Sequence, residues 1–190
     1  MLTDPQIMTR LPASEAAFAS GQEEIAPFLQ EAIKGAQYSS FAGTIVVCEG
    51  FKGILHHVHR PKPDDHPEDL QSGNFWKRHR DLDNNLSSIF MFLPESFQLP
   101  QHVRDPAAIY ANLNLHASVI CLHHAALENL DKYNLADSMK ATSKIRLKTS
   151  AEEIVNIVKM TSHHTGIFVS QPSHTYPYSI FIHSHLIQSS

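Results

Sequence analysis

The chain has 190 residues, of which 42% are hydrophobic and 18% charged, so it fits one globular domain with a sizeable core rather than a disordered or fibrous protein. Its formal net charge of -4, with histidine neutral, does not predict a basic nucleic-acid-binding surface. No signal peptide is apparent at the start, and no apolar run approaches the roughly 18 residues of a membrane span. We therefore expect a soluble intracellular protein.

The N-terminal third predicts an irregular start and then a first helix. Residues 1–20 contain Pro5 and Pro12 and predict an irregular segment, in which Ser14 and Glu15 favour a short helical turn. Residues 22–34 predict a helix that ends at a C-cap glycine. Gly35 is the expected C-cap, and the apolar side consists of Ile25, Phe28, Leu29, Ala32 and Ile33. Pro27 fits this helix only near its beginning, where a missing N–H does no harm.

Residues 38–60 predict a second, longer helix. The run TIVVC alone fits a strand, but apolar residues recur every three or four positions over the whole segment, which favours a helix. Three glycines within it weaken the helix or permit another helix to approach closely: Gly43, Gly50 and Gly53. Cys48, and Cys121 further along, lie in apolar helical runs and are expected to be buried small hydrophobes rather than a disulfide or a reactive thiol.

The segment 74–100 predicts an amphipathic helix of about five turns. It follows an acidic, proline-rich connector at 61–73 and ends before Pro94, which cannot continue a helix. Its apolar positions are spaced four, three, four, three and four residues apart when His79 is counted among them. The expected buried side is Phe75, Trp76, Leu82, Leu86, Ile89, Phe90 and Leu93.

Two more helices are predicted downstream. Asp105 and Pro106 are a suitable N-cap and first residue for a helix to about Leu130, and its apolar residues on several faces predict a central position. Residues 138–162 predict a helix whose apolar side is Ile154, Val155, Ile157 and Val158. Lys144, Arg146 and Lys148 form a small basic patch on it, expected to face solvent. From Thr165 the helical period is lost. The fold class predicted is all-α, an irregular bundle of four or five helices.

Local patterns suggest a kinase catalytic loop and a metal site, but the surrounding sequence argues against both. HRDLDNN at 79–85 is like a kinase catalytic loop, but Leu86 stands where that loop needs Asn, and no glycine-rich phosphate loop or DFG accompanies it. Fourteen histidines raise the possibility of a metal site, yet no HExxH occurs. The dense positions are His56, His57, His59, His116, His123, His124, His163 and His164, and the connector adds Asp64, Asp65, His66, Glu68 and Asp69. We therefore assign no catalytic, cofactor-binding or metal-binding residue, and an all-α, His/Asp-rich metal-dependent hydrolase is kept as the alternative.

Five blocks of sequence together resemble one family, the regulatory middle domain of fungal zinc-binuclear-cluster transcription factors of the xylanolytic-activator type. They are HVHRPKPDD at 57–65, FWKRHRDLDNNLS at 75–87, FMFLPESFQLP at 90–100, NLNLHASVICLHHAALE at 112–128 and AEEIVNIVKMTSH at 151–163. The ordered series is more specific than any one block. The resemblance extends over about residues 11–163.

The resemblance implies a non-enzymatic, all-helical domain that regulates transcription in the nucleus through protein contacts, a homodimer or a small-molecule effector. Family members bind zinc and DNA through an N-terminal six-cysteine cluster, which this chain lacks, so neither function transfers to a residue here and no cofactor is expected in this chain. The domain organisation expected is an irregular segment at 1–20, a partial regulatory domain at 21–164 and a divergent tail at 165–190. Family domains continue with further helices, so the bundle is expected to be a fragment, incomplete at its C-terminal end, and marginally stable or self-associating.

Overall fold

A computed structural model of the chain describes residues 9–162, and every regular element in that range is helical. The elements are α1 Glu15–Ser20, α2 Leu29–Ile33, α3 Ser40–His59, α4 Asn74–Met91, a 3₁₀ turn Glu95–Phe97, α5 Pro106–Lys132 and α6 Asp137–Ser162. The predicted all-α, multi-helix fold is confirmed, although residues 9–162 form six α-helices rather than the four or five expected. The tail predicted at 165–190 lies outside the described residues, as do His163 and His164.

Helix α5 is the centre of the bundle, as its sequence predicts. It packs against α3, α4, α6 and the 3₁₀ turn, and its buried residues lie on more than one face. Asp105 caps its first turn by accepting a hydrogen bond from the Ala107 N–H at 2.8 Å. Leu115, Val119 and Leu122 belong to the main core, whereas Ala126 and Leu130 pack in a second cluster with Phe75 and Trp76.

Helix α4 begins and ends where the sequence predicts, at Asn74 and three residues before Pro94. Phe75, Trp76, Leu86 and Ile89 are buried. The other expected members of this face are half-buried against the main core: Leu82, Phe90 and Leu93. His79, which completes the apolar spacing, is buried as well.

The glycines of α3 allow its neighbours to approach closely, which is the second of the two roles that the sequence suggests for them. A methyl group at Gly43 would lie 2.5 Å from ring atoms of Phe97, which is fully buried. At Gly53 it would meet a terminal methyl group of Leu82 at 3.3 Å, a tight contact that a small shift of that side chain relieves. Glycine at position 43 therefore lets α3 pack directly against Phe97 of the 3₁₀ turn, where any larger residue would clash.

The helix predicted at 22–34 is wrong in extent, because α2 begins only at Leu29. The residues before it are extended: the Leu11 N–H donates to the Pro27 carbonyl at 2.8 Å, and Arg10 and Phe28 form an isolated antiparallel bridge. Pro27 also disfavours helical geometry in the residue before it. Ile25 is consequently 81% exposed instead of buried.

The N-terminal segment is more ordered than expected over its described part. The short turn predicted at Ser14 and Glu15 is helix α1, and Ser14 caps it by accepting from the Ala17 N–H at 3.2 Å. Leu11 is buried in the main core, and the Ser39 hydroxyl donates to the Pro12 carbonyl at 3.1 Å. The residues before the predicted boundary at residue 20 therefore pack against residues after it.

The apolar side predicted for α6 is wrong in two of its four residues. Val155 and Val158 are 49% and 52% exposed, while Ile157 is buried. The buried positions are Ser143, Ser150, Ile157 and Thr161, spaced seven, seven and four residues apart, so they form one stripe on the helix. The small side chains of Ser143, Ser150 and Thr161 let α6 lie close to α5, and the two valines lie outside this stripe.

Cys48 also departs from expectation, because it is exposed at the surface of α3, where its sulfur lies 3.5 Å from the Tyr110 hydroxyl. Cys121 is half-buried, and burial raises the pKa of its thiol. Among the described helices, none combines the length and the apolar character that crossing a membrane requires.

Candidate functional site

An open groove of about 510 Å³ lies between α5, the second half of α6 and the loop before α5. Leu99 and Pro100 form one wall, and Asn112 and His116 project from α5. The α6 wall is Glu153, Asn156, Ile157, Lys159 and Met160. Four apolar side chains and five polar or charged ones thus surround one concave space, which is more polar than most small-molecule sites.

Fixed backbone contacts hold the α5 side of this groove. The Asn112 amide nitrogen donates to the carbonyls of Phe97 and Ala108, both at 2.8 Å, so the side chain ties α5 to the 3₁₀ turn. The His116 ring packs against Phe90 with their ring centroids 5.1 Å apart. The position of both residues is therefore set by packing before any ligand arrives.

His116 is neutral near pH 7 in this setting. Burial lowers its pKa, and the nearby Glu153 carboxylate opposes that effect only in part. Its Nδ1 is buried and has no hydrogen-bond partner among the described residues. Because the imidazole carries no charge, Glu153 remains the negative charge on this side of the groove.

A second polar cluster lies toward the other end of α5 and joins four helices. The rings of His57, His79 and His123 follow one another, with centroids 6.2 and 5.3 Å apart. All three side chains are buried. Burial lowers the pKa of His57 to about 4, with the Arg78 charge adding to the effect, and it lowers the pKa of His79 to about 3.

At one end of this histidine row, His123 meets an ion pair. Its Nε2 lies 3.3 Å from Arg146 Nε and 3.4 Å from Asp83 Oδ1, and the Arg146 guanidinium also binds Asp83. Hydrogen bonds from His123 and from Arg146 lower the pKa of Asp83 to about 2. The basic patch predicted to face solvent is thus wrong for Arg146, which is half-buried, although Lys144 and Lys148 are exposed.

Ser143, His123 and Asp83 are arranged in the order of a Ser–His–Asp catalytic triad, but the serine is not accessible to a substrate. The Ser143 hydroxyl lies 3.3 Å from His123 Nδ1, and Asp83 lies at the opposite ring nitrogen. In a hydrolase the serine faces the substrate and the carboxylate is enclosed. Here the serine is only 5% exposed, whereas the Asp83 side chain is 31% exposed, so the arrangement stabilises helix packing and does not present a nucleophile.

The acidic connector is used for folding. Asp65 is buried, binds Arg78 and accepts from the Lys62 N–H at 2.7 Å. Asp69 accepts from two backbone N–H groups of the following turn, at 2.9 and 3.0 Å. The Trp76 indole N–H, in the following helix α4, donates to the Pro67 carbonyl of the connector at 2.8 Å.

The histidines within residues 9–162 that raised the metal hypothesis do not converge on one site. His56 and His59 are exposed, His57 points into the core, and His116 and His123 contact different neighbours. His124 lies outside, 3.7 Å from Glu128. Within residues 9–162, no three His, Cys, Asp or Glu side chains are placed to hold one metal ion.

The HRD tripeptide lies in the middle of α4. His79 faces inward and is buried, whereas Asp81 faces solvent. The carboxylate and the imidazole therefore point to different sides of the helix and do not share a site. The sequence interpretation of this stretch as a packing helix is confirmed.

Comparison of the chain with protein-family models, with curated proteins and with solved structures finds no match. The resemblance to the fungal regulatory domain accordingly stays a prediction from the sequence blocks.

Proposed function

We propose that the chain is a regulatory domain of a fungal zinc-binuclear-cluster transcription factor, non-enzymatic and nuclear, that responds to a small-molecule effector or to a protein partner. DNA and zinc binding would belong to a six-cysteine module outside these residues. No residue of this chain is assigned to either.

The observation that carries the proposal is that three of the five resembling blocks meet at the groove. Leu99 and Pro100 come from the block at 90–100, Asn112 and His116 from the block at 112–128, and the α6 wall from the block at 151–163. Three segments that are distant in the chain supply every side chain that lines the groove. A site with both apolar and charged walls suits a small effector, and the exposed valines of α6 give an apolar surface for a protein partner or a second copy.

The experiment joins the full chain to a heterologous DNA-binding module in a fungal host and measures transcription of a reporter that carries the module's sites. We expect the attached chain to change reporter transcription relative to the module alone. The variant Leu86→Asp, which breaks the core, should abolish the change, and Asp81→Asn, on the exposed side of the same helix, should preserve it.

Equal transcription from the module alone and from the module with the folded chain would overturn the regulatory proposal. Exclusion of the chain, expressed by itself, from the nucleus would overturn the proposed localisation. Each result concerns the whole domain and does not depend on what the groove binds.

A further inference from the structure

The groove carries two opposite charges on one wall. Glu153 and Lys159 both line it from α6, and within the described residues neither side chain forms an ion pair or a hydrogen bond. They are six residues apart, which is about 9 Å along a helix axis. A ligand that lies along α6 and bears a positive charge at one end and a negative charge at the other would neutralise both.

We propose that the groove binds a short zwitterionic peptide of two or three residues, with its ammonium group at Glu153 and its carboxylate at Lys159. This inference rests on the proposed function, because it names the effector class of the same groove. An extended peptide spans about 3.3–3.6 Å per residue, so two or three residues cover about the axial rise between Glu153 and Lys159.

The rest of the lining suits the uncharged parts of such a peptide. Asn112 uses its amide nitrogen on two backbone carbonyls, which leaves its carbonyl oxygen as an acceptor for a peptide N–H. Asn156 offers both a donor and an acceptor from the α6 wall. Leu99, Pro100 and Met160 provide an apolar surface for an aliphatic side chain.

His116 supports the assignment of the ammonium end. Its lowered pKa leaves the ring uncharged near pH 7, so no imidazolium competes for the Glu153 carboxylate. The ring is held against Phe90 and cannot move toward solvent without losing that contact. A cation from the ligand is therefore the natural partner of Glu153.

The test is calorimetric titration of the full chain with the dipeptide Ala-Leu, with N-acetyl-Ala-Leu, which lacks the ammonium, and with Ala-Leu amide, which lacks the carboxylate. We expect saturable binding of Ala-Leu and about tenfold weaker binding of each capped form, because each loses one charged contact. Unchanged far-ultraviolet circular dichroism establishes that each variant is folded.

Two variants with matched controls assign the ends. Glu153→Gln should weaken Ala-Leu binding about tenfold and leave N-acetyl-Ala-Leu binding unchanged, whereas Glu152→Gln, on the neighbouring exposed residue, should have no effect. Lys159→Met should remove the preference for the free carboxylate, and Lys148→Met should retain it.

Absence of saturable Ala-Leu binding by the folded chain would overturn the peptide assignment, as would equal affinity of the capped peptides or of the Glu153→Gln variant. These outcomes are separate from the reporter experiment. A chain that changes transcription but binds no peptide keeps the regulatory proposal and loses this one, and a chain that binds the peptide without changing transcription does the reverse.

Discussion

Arg146 of α6 binds the carboxylate of Asp83 of α4, which lies 63 positions earlier in the chain, and His123 of α5 contacts both side chains. Three helices therefore meet through one charged cluster. The Asp83 and Arg146 side chains are only half-buried, so their interaction is partly screened by water. The cluster fixes how α6 lies on the bundle more than it adds to stability.

A double-mutant cycle measures this pair. We expect Asp83→Asn and Arg146→Gln, singly and together, to give a coupling free energy of about 1 kcal/mol in urea unfolding. The matched control is the exposed pair Lys148 and Glu152, 3.8 Å apart, for which the same cycle should give a value near zero. Equal coupling energies for the two pairs would show that His123 and partial burial add nothing.

The buried histidines predict a pH dependence of stability. In the unfolded chain the imidazoles of His57 and His79 take up protons near their ordinary pKa of 6.5, but in the folded chain only near 4 and 3. Between these values the unfolded state binds more protons, so the free energy of unfolding is highest above pH 6.5 and falls as the pH is lowered. The slope is at most about 1.4 kcal/mol per pH unit for each histidine.

Urea unfolding between about pH 7.5 and pH 4.5 isolates this effect, because carboxylates of ordinary pKa, near 4, titrate mainly below the range. His79→Leu should reduce the slope by about a third to a half, because His57 and His116, whose pKa values burial also lowers, still contribute. His56→Gln, at an exposed residue of α3, should leave it unchanged. Stability that does not change across this range would contradict the burial of neutral histidines. The charged or titratable groups that act on the two rings are Asp65, Arg78, Arg80, Asp83 and His123.

Gly43→Ala should destabilise the chain by about 1–3 kcal/mol, because the new methyl group overlaps the buried Phe97 ring and forces a shift in the core. Gly53→Ala is the matched control in the same helix. There the methyl group meets Leu82 at 3.3 Å, and the better helix propensity of alanine offsets the contact by up to about 1 kcal/mol. Thermal unfolding compares the two, and equal effects would contradict the close contact at Gly43.

Leu86→Asp should unfold the chain, because Leu86 is 2% exposed and a carboxylate there has no partner. Asp81→Asn should change stability by less than about 0.5 kcal/mol, since Asp81 faces solvent on the same helix. Circular dichroism at increasing urea distinguishes them. A folded Leu86→Asp chain would contradict the core placement of α4.

The sequence predicted the long helices because each carries its own signal. Apolar residues recur with helical spacing in α4, and Asp105 with Pro106 marks the start of α5. The same local rules failed for residues 22–28, where a long-range backbone bond between Leu11 and Pro27 holds the chain extended. Propensity alone could not anticipate a partner 16 residues away.

The groove and the charged cluster could not be predicted, because they form only when α6 folds back on α5. Asp83 and Arg146 look like ordinary solvent-facing charges in their own helices, and the buried stripe of α6 consists mainly of Ser and Thr. The one local signal was His79, which occupies an apolar position in the α4 spacing and is buried. The family resemblance identified the sequence blocks, but it did not predict that three of them line one groove.

Reporter transcription by two variants of α6, attached to the same DNA-binding module, tests the central proposal most directly. Met160→Trp places an indole in the groove, whereas Thr149→Trp adds the same indole at an exposed position of the same helix that neither lines the groove nor belongs to the exposed valines. We expect Met160→Trp to change transcription relative to the unmodified chain and Thr149→Trp to leave it unchanged. Equal transcription from both variants and the unmodified chain would contradict a regulatory role for the groove.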